Sequence, residues 1–208
     1  MKNKLQVKKS LYFNQNYNKK ARWSSYWYQI NEVVSLKPQT VLEIGVGNKV
    51  VSDYLKKLSL KVTTCDFDEN LKPDIVADVC NLPFKDKSFD VILCAEVLEH
   101  LPFKKFIPAL KEIRRVSKTG VVVTLPHIGL TNLYFGIKFF PFLPKKEFCL
   151  KIDYPMKHVF LGEHYWEIGK KGYSLTKIKR AIEKAGFSIE KSFYPIENPW
   201  HHFFTLSK

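Results

Sequence analysis

The sequence predicts an α/β fold: a wound, mostly parallel sheet of seven strands with helices on both faces. Three observations carry this reading. Short apolar segments alternate with amphipathic ones along most of the 208 residues, the pattern of a wound α/β domain. One of the apolar segments runs into a Gly-x-Gly turn, Gly45 to Gly47, and on into a helix. A composition that is 45% hydrophobic and 26% charged suits a folded chain with one sizeable core.

Residues 1–20 are basic and rich in asparagine, a partly ordered leader with Tyr12, Phe13 and Tyr17 as anchors. From Ala21 to Leu36 the residues Trp23, Tyr26, Trp27, Ile30, Val33 and Val34 recur at helical spacing. Core packing is the simplest use for that stripe, a substrate lid the alternative. Lys37-Pro38 ends the helix. Strands are then expected at Thr40 to Ile44, Leu60 to Cys65, Asp74 to Ala77, Phe89 to Cys94 and Gly120 to Leu125. Helices are expected at Val50 to Leu58 and Lys104 to Val116. Such alternation requires right-handed crossovers. Residues 126–172, rich in proline and aromatics, show no clean period and are too long for a plain connection. A helix from Leu175 to Ala185 follows, closed by Gly186, and then strands at Ser188 to Tyr194 and His202 to Leu206. The whole reads as one domain in four parts: leader and first helix (1–37), a ligand-binding half (38–126), an insertion (127–172) and a C-terminal helix with two strands (173–208).

Cys65, Cys80, Cys94 and Cys149 form no CxxC pair and no metal-type spacing. Three lie in strands or at their ends, as small buried hydrophobes do, which suggests a reducing, cytoplasmic setting. Lysine and asparagine follow the basic N-terminus where a signal peptide would be apolar. The longest apolar stretch, Ile137 to Leu143, is broken by Lys138 and Pro141, so no membrane insertion is expected. The net charge is +14, with seven Lys/Arg and no Asp/Glu from Met1 to Arg22. Nucleic acid, an anionic membrane surface, an acidic substrate and a merely lysine-rich composition all fit that charge.

The most informative stretch is Val41-Leu-Glu-Ile-Gly-Val-Gly47. Glycines after a buried strand let the backbone turn tightly and approach a ligand at the carboxyl edge of the sheet. Asp66 closes the next strand nineteen positions after Gly47, near the ~20-residue spacing at which a carboxylate accepts from ribose hydroxyls. Together these features point to an adenosine-type cofactor.

Here the sequence resembles the class I S-adenosylmethionine-dependent methyltransferases, of the type 11-like group. Val41 to Gly47 is similar to their first motif, and Asp78-Val-Cys-Asn-Leu-Pro-Phe84 to their adenine-binding segment. Ser88 to Cys94 resembles their fourth strand, and Ala95-Glu-Val-Leu-Glu-His-Leu-Pro102 the segment after it. Leu110 to Arg115 with Val121 to Pro126 completes the order. The resemblance implies a Rossmann-like sheet with an antiparallel last strand, and S-adenosyl-L-methionine as cofactor. It implies that Gly45 and Gly47 line the methionine end, Glu43 orients its amino group, Asp66 holds the ribose and Phe67 packs by the adenine. Asp78 would accept from the adenine amino group beside the backbone of Val79, and Cys94 would offer its carbonyl to the ammonium. Lys49 stands where the family most often has a third glycine.

Methyl transfer from an activated cofactor needs orientation and sometimes a base. No Asn-Pro-Pro-Tyr motif or Pro-Cys nucleophile follows the fourth strand, which favours an oxygen acceptor on a small molecule or glycan. Glu96, Glu99 and His100 form an ExxEH motif whose members would face one way on a helical turn. Two carboxylates and an imidazole suit Mg, Mn or Fe. The motif is similar to that of ubiquinone-biosynthesis O-methyltransferases and of the plant small-RNA 2′-O-methyltransferase, where it carries a metal beside the acceptor. His127 would complete the set. The metal-free alternative keeps His100, with Glu96, as the catalytic pair. Tyr134, Tyr154, His158, His164 and Trp166 are further acceptor-side contacts, whereas His201 and His202 need no function. An RNA methyltransferase and a non-catalytic cofactor-binding protein are the competing readings.

Overall fold

The computed structural model describes residues 7–129 and 156–208, and the backbone alone of two intervening strands at 131–137 and 146–152. After a short helix α1 (Lys9–Tyr12) and the long α2 (Lys20–Ser35) come β1 (Thr40–Ile44), α3 (Val50–Lys57), β2 (Lys61–Asp66), β3 (Ile75–Val76) and β4 (Phe89–Ala95). The chain continues through α4 (Phe106–Val116), β5 (Ser117–Pro126), β6 (Thr131–Ile137), β7 (Lys146–Ile152), α5 (Leu175–Lys184), β8 (Ser188–Phe193) and β9 (His201–Ser207).

Seven strands form one sheet in the order β3-β2-β1-β4-β5-β9-β8. β1 to β5 run parallel, and β9 runs antiparallel to both of its neighbours. This is the Rossmann-like sheet with an antiparallel last strand that the sequence predicts. The central strands are buried on both faces, and alternate residues serve different layers. Val41, Val91, Leu93 and Val122 meet Tyr26 and Val33 of α2 and Val51 and Leu55 of α3. Leu42, Ile92, Val121 and Val123 meet Leu110 and Ile113 of α4 and Ile178 and Ile182 of α5. Each such fully buried aliphatic side chain contributes about 1.5–3 kcal/mol.

Three expectations are corrected in detail. Helix α4 starts later than Lys104, after a 3₁₀ turn at Phe103–Lys105. The insertion has regular structure: β6 and β7 pair antiparallel from Thr131↔Ile152 to Ile137↔Lys146. Successive apolar residues in Leu133-Tyr-Phe hide the period of two there. Of the leader's three expected anchors, Tyr12 and Tyr17 line the cavity described below, whereas Phe13 is exposed.

Two side chains tie the insertion and the helices down. Trp166 is fully buried, donates its indole N–H to the Leu101 carbonyl at 3.0 Å and packs on Phe103 and Phe106. The Arg115 guanidinium bonds the Leu82 and Phe84 carbonyls, Glu112 and Asp86, fixing the loop before β4 onto α4. No helix among the described residues is long and apolar enough to cross a membrane.

Candidate functional site

The carboxyl ends of β1, β2 and β4 open on a cavity of about 850 Å³. Gly45, at φ 84°, crosses so close to the segment that follows β4 that an added Cβ would lie 2.2 Å from Val97 Cγ2. Gly47 is at φ 47° beneath the Tyr12 ring. The backbone path therefore demands glycine at 45 and favours it at 47. Lys49, where a third glycine was expected, adopts the same left-handed region (φ 64°, ψ 8°) at the start of α3, and its ammonium reaches the Lys72 carbonyl.

Six of the predicted cofactor residues behave in distinct ways. Glu43 is buried at the cavity wall with Oε2 lacking any partner, and burial pushes its carboxyl up to about 8. Both oxygens of Asp66 are engaged: Oδ2 accepts from Val46 N–H at 2.9 Å and Oδ1 from Asp68 N–H at 3.0 Å. Phe67, exposed, and Asp78, accepting from Cys80 N–H at 2.9 Å, line the cavity with Val79. Cys94 is fully buried, and the cavity wall at the end of β4 is made by Ala95 and Glu96 instead.

Asp68 is one of the residues that sequence reasoning missed. It lines the cavity, is buried, and keeps Oδ2 without a partner, while Oδ1 takes the main-chain and side-chain N–H groups of Asn70 at 3.0 and 2.8 Å. A buried, unpartnered carboxylate oxygen is costly unless a ligand supplies the donor. The signal was the second acid in Asp66-Phe67-Asp68. Above this end the leader closes the cavity. Tyr17 stands edge-on to Tyr12 at 5.4 Å, the Arg22 guanidinium lies 4.4 Å over the Tyr17 ring, and Asn48 donates to Asn18 at 3.0 Å.

At the other end the ExxEH residues part company. Glu96 is not on a helical turn but in the left-handed region at φ 54°. Its Oε1 accepts from the Thr124 hydroxyl at 2.9 Å, and its Oε2 lies 3.6 Å from His201 Nε2. His201 thus gains a place at the cavity wall, oriented by Ser25 at 3.0 Å. His127 is buried against His202, ring nitrogen to ring nitrogen at 3.0 Å. Neither Glu96 nor His127 belongs to the cluster expected of them.

The cluster that does form is Glu99, His100 and His164, whose ligand atoms all lie within 4.8 Å of one another. Glu99 is wholly buried with both oxygens unpartnered. His100 Nε2 and His164 Nε2 stand 3.9 and 4.0 Å from its Oε1. His100 directs Nδ1 to the Glu163 carbonyl at 3.1 Å, and His164 directs Nδ1 to Glu167 at 2.8 Å. Burial and then the Glu96 charge push the Glu99 carboxyl well up. Burial and His164 pull the His100 imidazole down to about 4. His164 comes from the insertion, 64 residues after His100, so no local motif could announce it. His158 braces the same loop by donating to the His164 carbonyl at 2.8 Å, and Trp166 is core. The side chain of Tyr134 and all of Tyr154 lie outside the described residues.

Residues 42–125 match the methyltransferase domain family. A demethylmenaquinone methyltransferase of Corynebacterium efficiens is 31% identical over 146 residues, 64% of this chain and 62% of that protein. An uncharacterized protein of Methanocaldococcus jannaschii is 52% identical over 44 residues, 21% of this chain and 18% of that protein. The chain thus spans less than two thirds of the length of these curated relatives. Among solved structures, 1,6-didemethyltoxoflavin-N1-methyltransferase of Burkholderia thailandensis aligns with a TM-score of 0.60 at 13% identity, covering 89% of this chain and 80% of that one. Magnesium protoporphyrin IX methyltransferase of Synechocystis with bound S-adenosylhomocysteine aligns at 0.60 and 14%, covering 90% and 84%. At such identities the structural likeness speaks for the fold.

Proposed function

We infer a methyl transfer from the premise that this chain belongs to the class I S-adenosylmethionine-dependent methyltransferases, to whose domain residues 42–125 match. The reaction we propose passes the methyl group of S-adenosyl-L-methionine to an oxygen of a small-molecule or glycan acceptor, in the cytoplasm. The single observation that carries it is one cavity with two unlike ends. The end at Gly45, Glu43 and Asp68 suits an adenosine-bearing amino acid, and the end at Glu99, His100 and His164 suits a polar acceptor.

The cofactor supplies a methyl on a positively charged sulfur, already activated, so the chain's own work is orientation and proton transfer. Glu43 Oε2 is placed to take the ammonium of the amino-acid portion, and Asp68 Oδ2 a ribose hydroxyl, with Asp66 holding the Val46 and Asp68 amides in register. His100 is neutral because burial pulls its imidazole down to about 4, so it would take the acceptor's proton only as a weak base. Glu96, held by Thr124, and the adjacent His201 border the same space.

The orphaned oxygens of Glu99, with two imidazoles beside them, fit a small divalent ion such as Mg, Mn or Fe. Such an ion would supply a Lewis acid that lowers the pKa of an acceptor hydroxyl. Glu167 and the Glu163 carbonyl hold the far sides of the two rings, as outer partners of ligating histidines do. Free thiols at Cys65, Cys80 and Cys94 accord with a reducing compartment.

The test is to incubate the protein and methyl-labelled cofactor with cell extract, identify the labelled product, and repeat in chelator. Label on a small molecule or glycan at oxygen supports the reading, and label on RNA replaces it. Full turnover in chelator, together with no metal bound at equilibrium dialysis, removes the ion and leaves His100 as base.

A further inference from the structure

Residues 156–165 form a loop that is fastened at its base and apolar at its tip. Lys171 N–H donates to the Met156 carbonyl at 2.9 Å, Tyr165 N–H to the Glu99 carbonyl at 2.8 Å, and His158 closes the neck by donating to the His164 carbonyl at 2.8 Å. These bonds hold out Val159, Phe160 and Leu161, which are 63%, 49% and 88% exposed. Three adjacent large apolar residues on a braced loop signify a partner, because solvent alone gives no reason to hold them there. The Phe160 ring stacks on Tyr165 at 4.5 Å, and Tyr165 lines the cavity. The apolar tip therefore stands at the cavity mouth.

Around that mouth, cations outnumber the carboxylates of Glu163 and Glu167. Lys104 and Lys105 line the cavity, and Lys157 and Lys171 sit within the loop and at its base. The leader that closes the other side, from Val7 to Arg22, contributes Lys8, Lys9, Lys19, Lys20 and Arg22 with no carboxylate to offset them. Apolar side chains framed by lysines match an anionic lipid surface, the aromatic and aliphatic groups entering below the headgroups and the ammonium groups meeting them.

We propose that the cavity mouth docks on an anionic bilayer and that the acceptor is an amphiphile presented by that bilayer. The second half rests on the methyl-transfer reading, whereas the first half stands without it. The probe for the first is co-sedimentation with phosphatidylcholine vesicles that contain or lack phosphatidylglycerol. The protein should pellet with the anionic vesicles, less so as salt is raised, and the V159D/L161D variant should lose roughly tenfold in vesicle affinity. Because both positions are exposed, the variant should keep its melting temperature and its affinity for S-adenosylhomocysteine. Absence of binding to anionic vesicles, or equal binding by the variant, overturns the docking face. For the second half, labelled cofactor is supplied with separated membrane and soluble extracts. Label in membrane lipid supports the amphiphilic acceptor, and label confined to soluble products overturns it. No label in either, with vesicle binding intact, defeats the methyl-transfer reading and leaves the docking face standing.

Discussion

The two ends of the cavity are built on opposite plans. At the cofactor end, Glu43, Gly45, Gly47, Asp66 and Asp68 fall within 26 consecutive residues and two adjacent parallel strands. At the acceptor end, Glu99 and His100 must wait for His164 to arrive from a separate loop, and Glu96 for His201 from β9. The first end is dictated by strand–turn–helix geometry and holds its shape whatever the insertion does. The second is a tertiary assembly, so it can change its chemistry by replacing a loop without disturbing the sheet.

Substitutions can break or sharpen this contrast. The largest effect is expected at Glu99. Glu99→Ala should lower turnover by about a hundredfold or more if Glu99 takes part in positioning or activating the acceptor. Affinity for S-adenosylhomocysteine, measured by titration calorimetry, should stay nearly unchanged. Loss of cofactor affinity in that variant would show the two ends to be one.

Next come the two aspartates. Asp68→Ala should weaken cofactor binding by about 1–3 kcal/mol with little change in melting temperature, through the lost charge-assisted hydrogen bond. Asp66→Ala should weaken binding and lower the melting temperature together, because it frees the Val46 and Asp68 amides. The reverse pattern would restore Asp66 as the ribose partner.

Glu43 supplies the pH dependence. Its carboxyl is raised by burial from 4.5 to about 8, with Asp53 and Asp66 adding to the shift and Ser52 and Lys56 opposing it. The folded chain therefore binds this proton more tightly than the unfolded chain does. Stability of the cofactor-free protein from this group is full below about 4.5 and is lost as pH rises to about 8. Denaturant titrations across that window should show the decline in the native protein and a flatter profile in Glu43→Gln. The same slope in both would absolve Glu43.

The smallest effect is at Lys49. Glycine at this left-handed position should stabilise by about 1 kcal/mol from backbone strain, less whatever the Lys49–Lys72 contact contributes. A rise of a few degrees in melting temperature with unchanged turnover is the expected result.

The contrast also explains what the sequence made legible. Strands and helices of the sheet are short-range patterns of hydrophobicity, and Thr40–Ile44 is read from the chain to the residue. The glycine turn is equally local, since the left-handed backbone at Gly45 and Gly47 must be paid for at those positions. Glu96 was misread because ExxEH looks like a helical turn, yet the left-handed bend at φ 54° swings its carboxylate toward Thr124. His127 was assigned to the site from strand adjacency, but its side chain turns to His202 across the β5–β9 pair. His164 was legible only as an acceptor-side contact and His201 not at all, since their partners are set by chain crossings and not by spacing.

Trp166 has a kinetic consequence. It lies between His164 and Glu167, so lifting that segment would expose the indole and break its bond to Leu101. At ~25 cal/mol per Å² over ~150–250 Å², the exposure alone costs about 4–6 kcal/mol. Such an opening is populated in about one molecule in a thousand or fewer. The leader side is fastened instead by side-chain contacts, Asn18 to Asn48 and Tyr17 under Arg22. Motion of the cavity wall is then expected to be faster at that short basic segment than at the segment that carries Trp166.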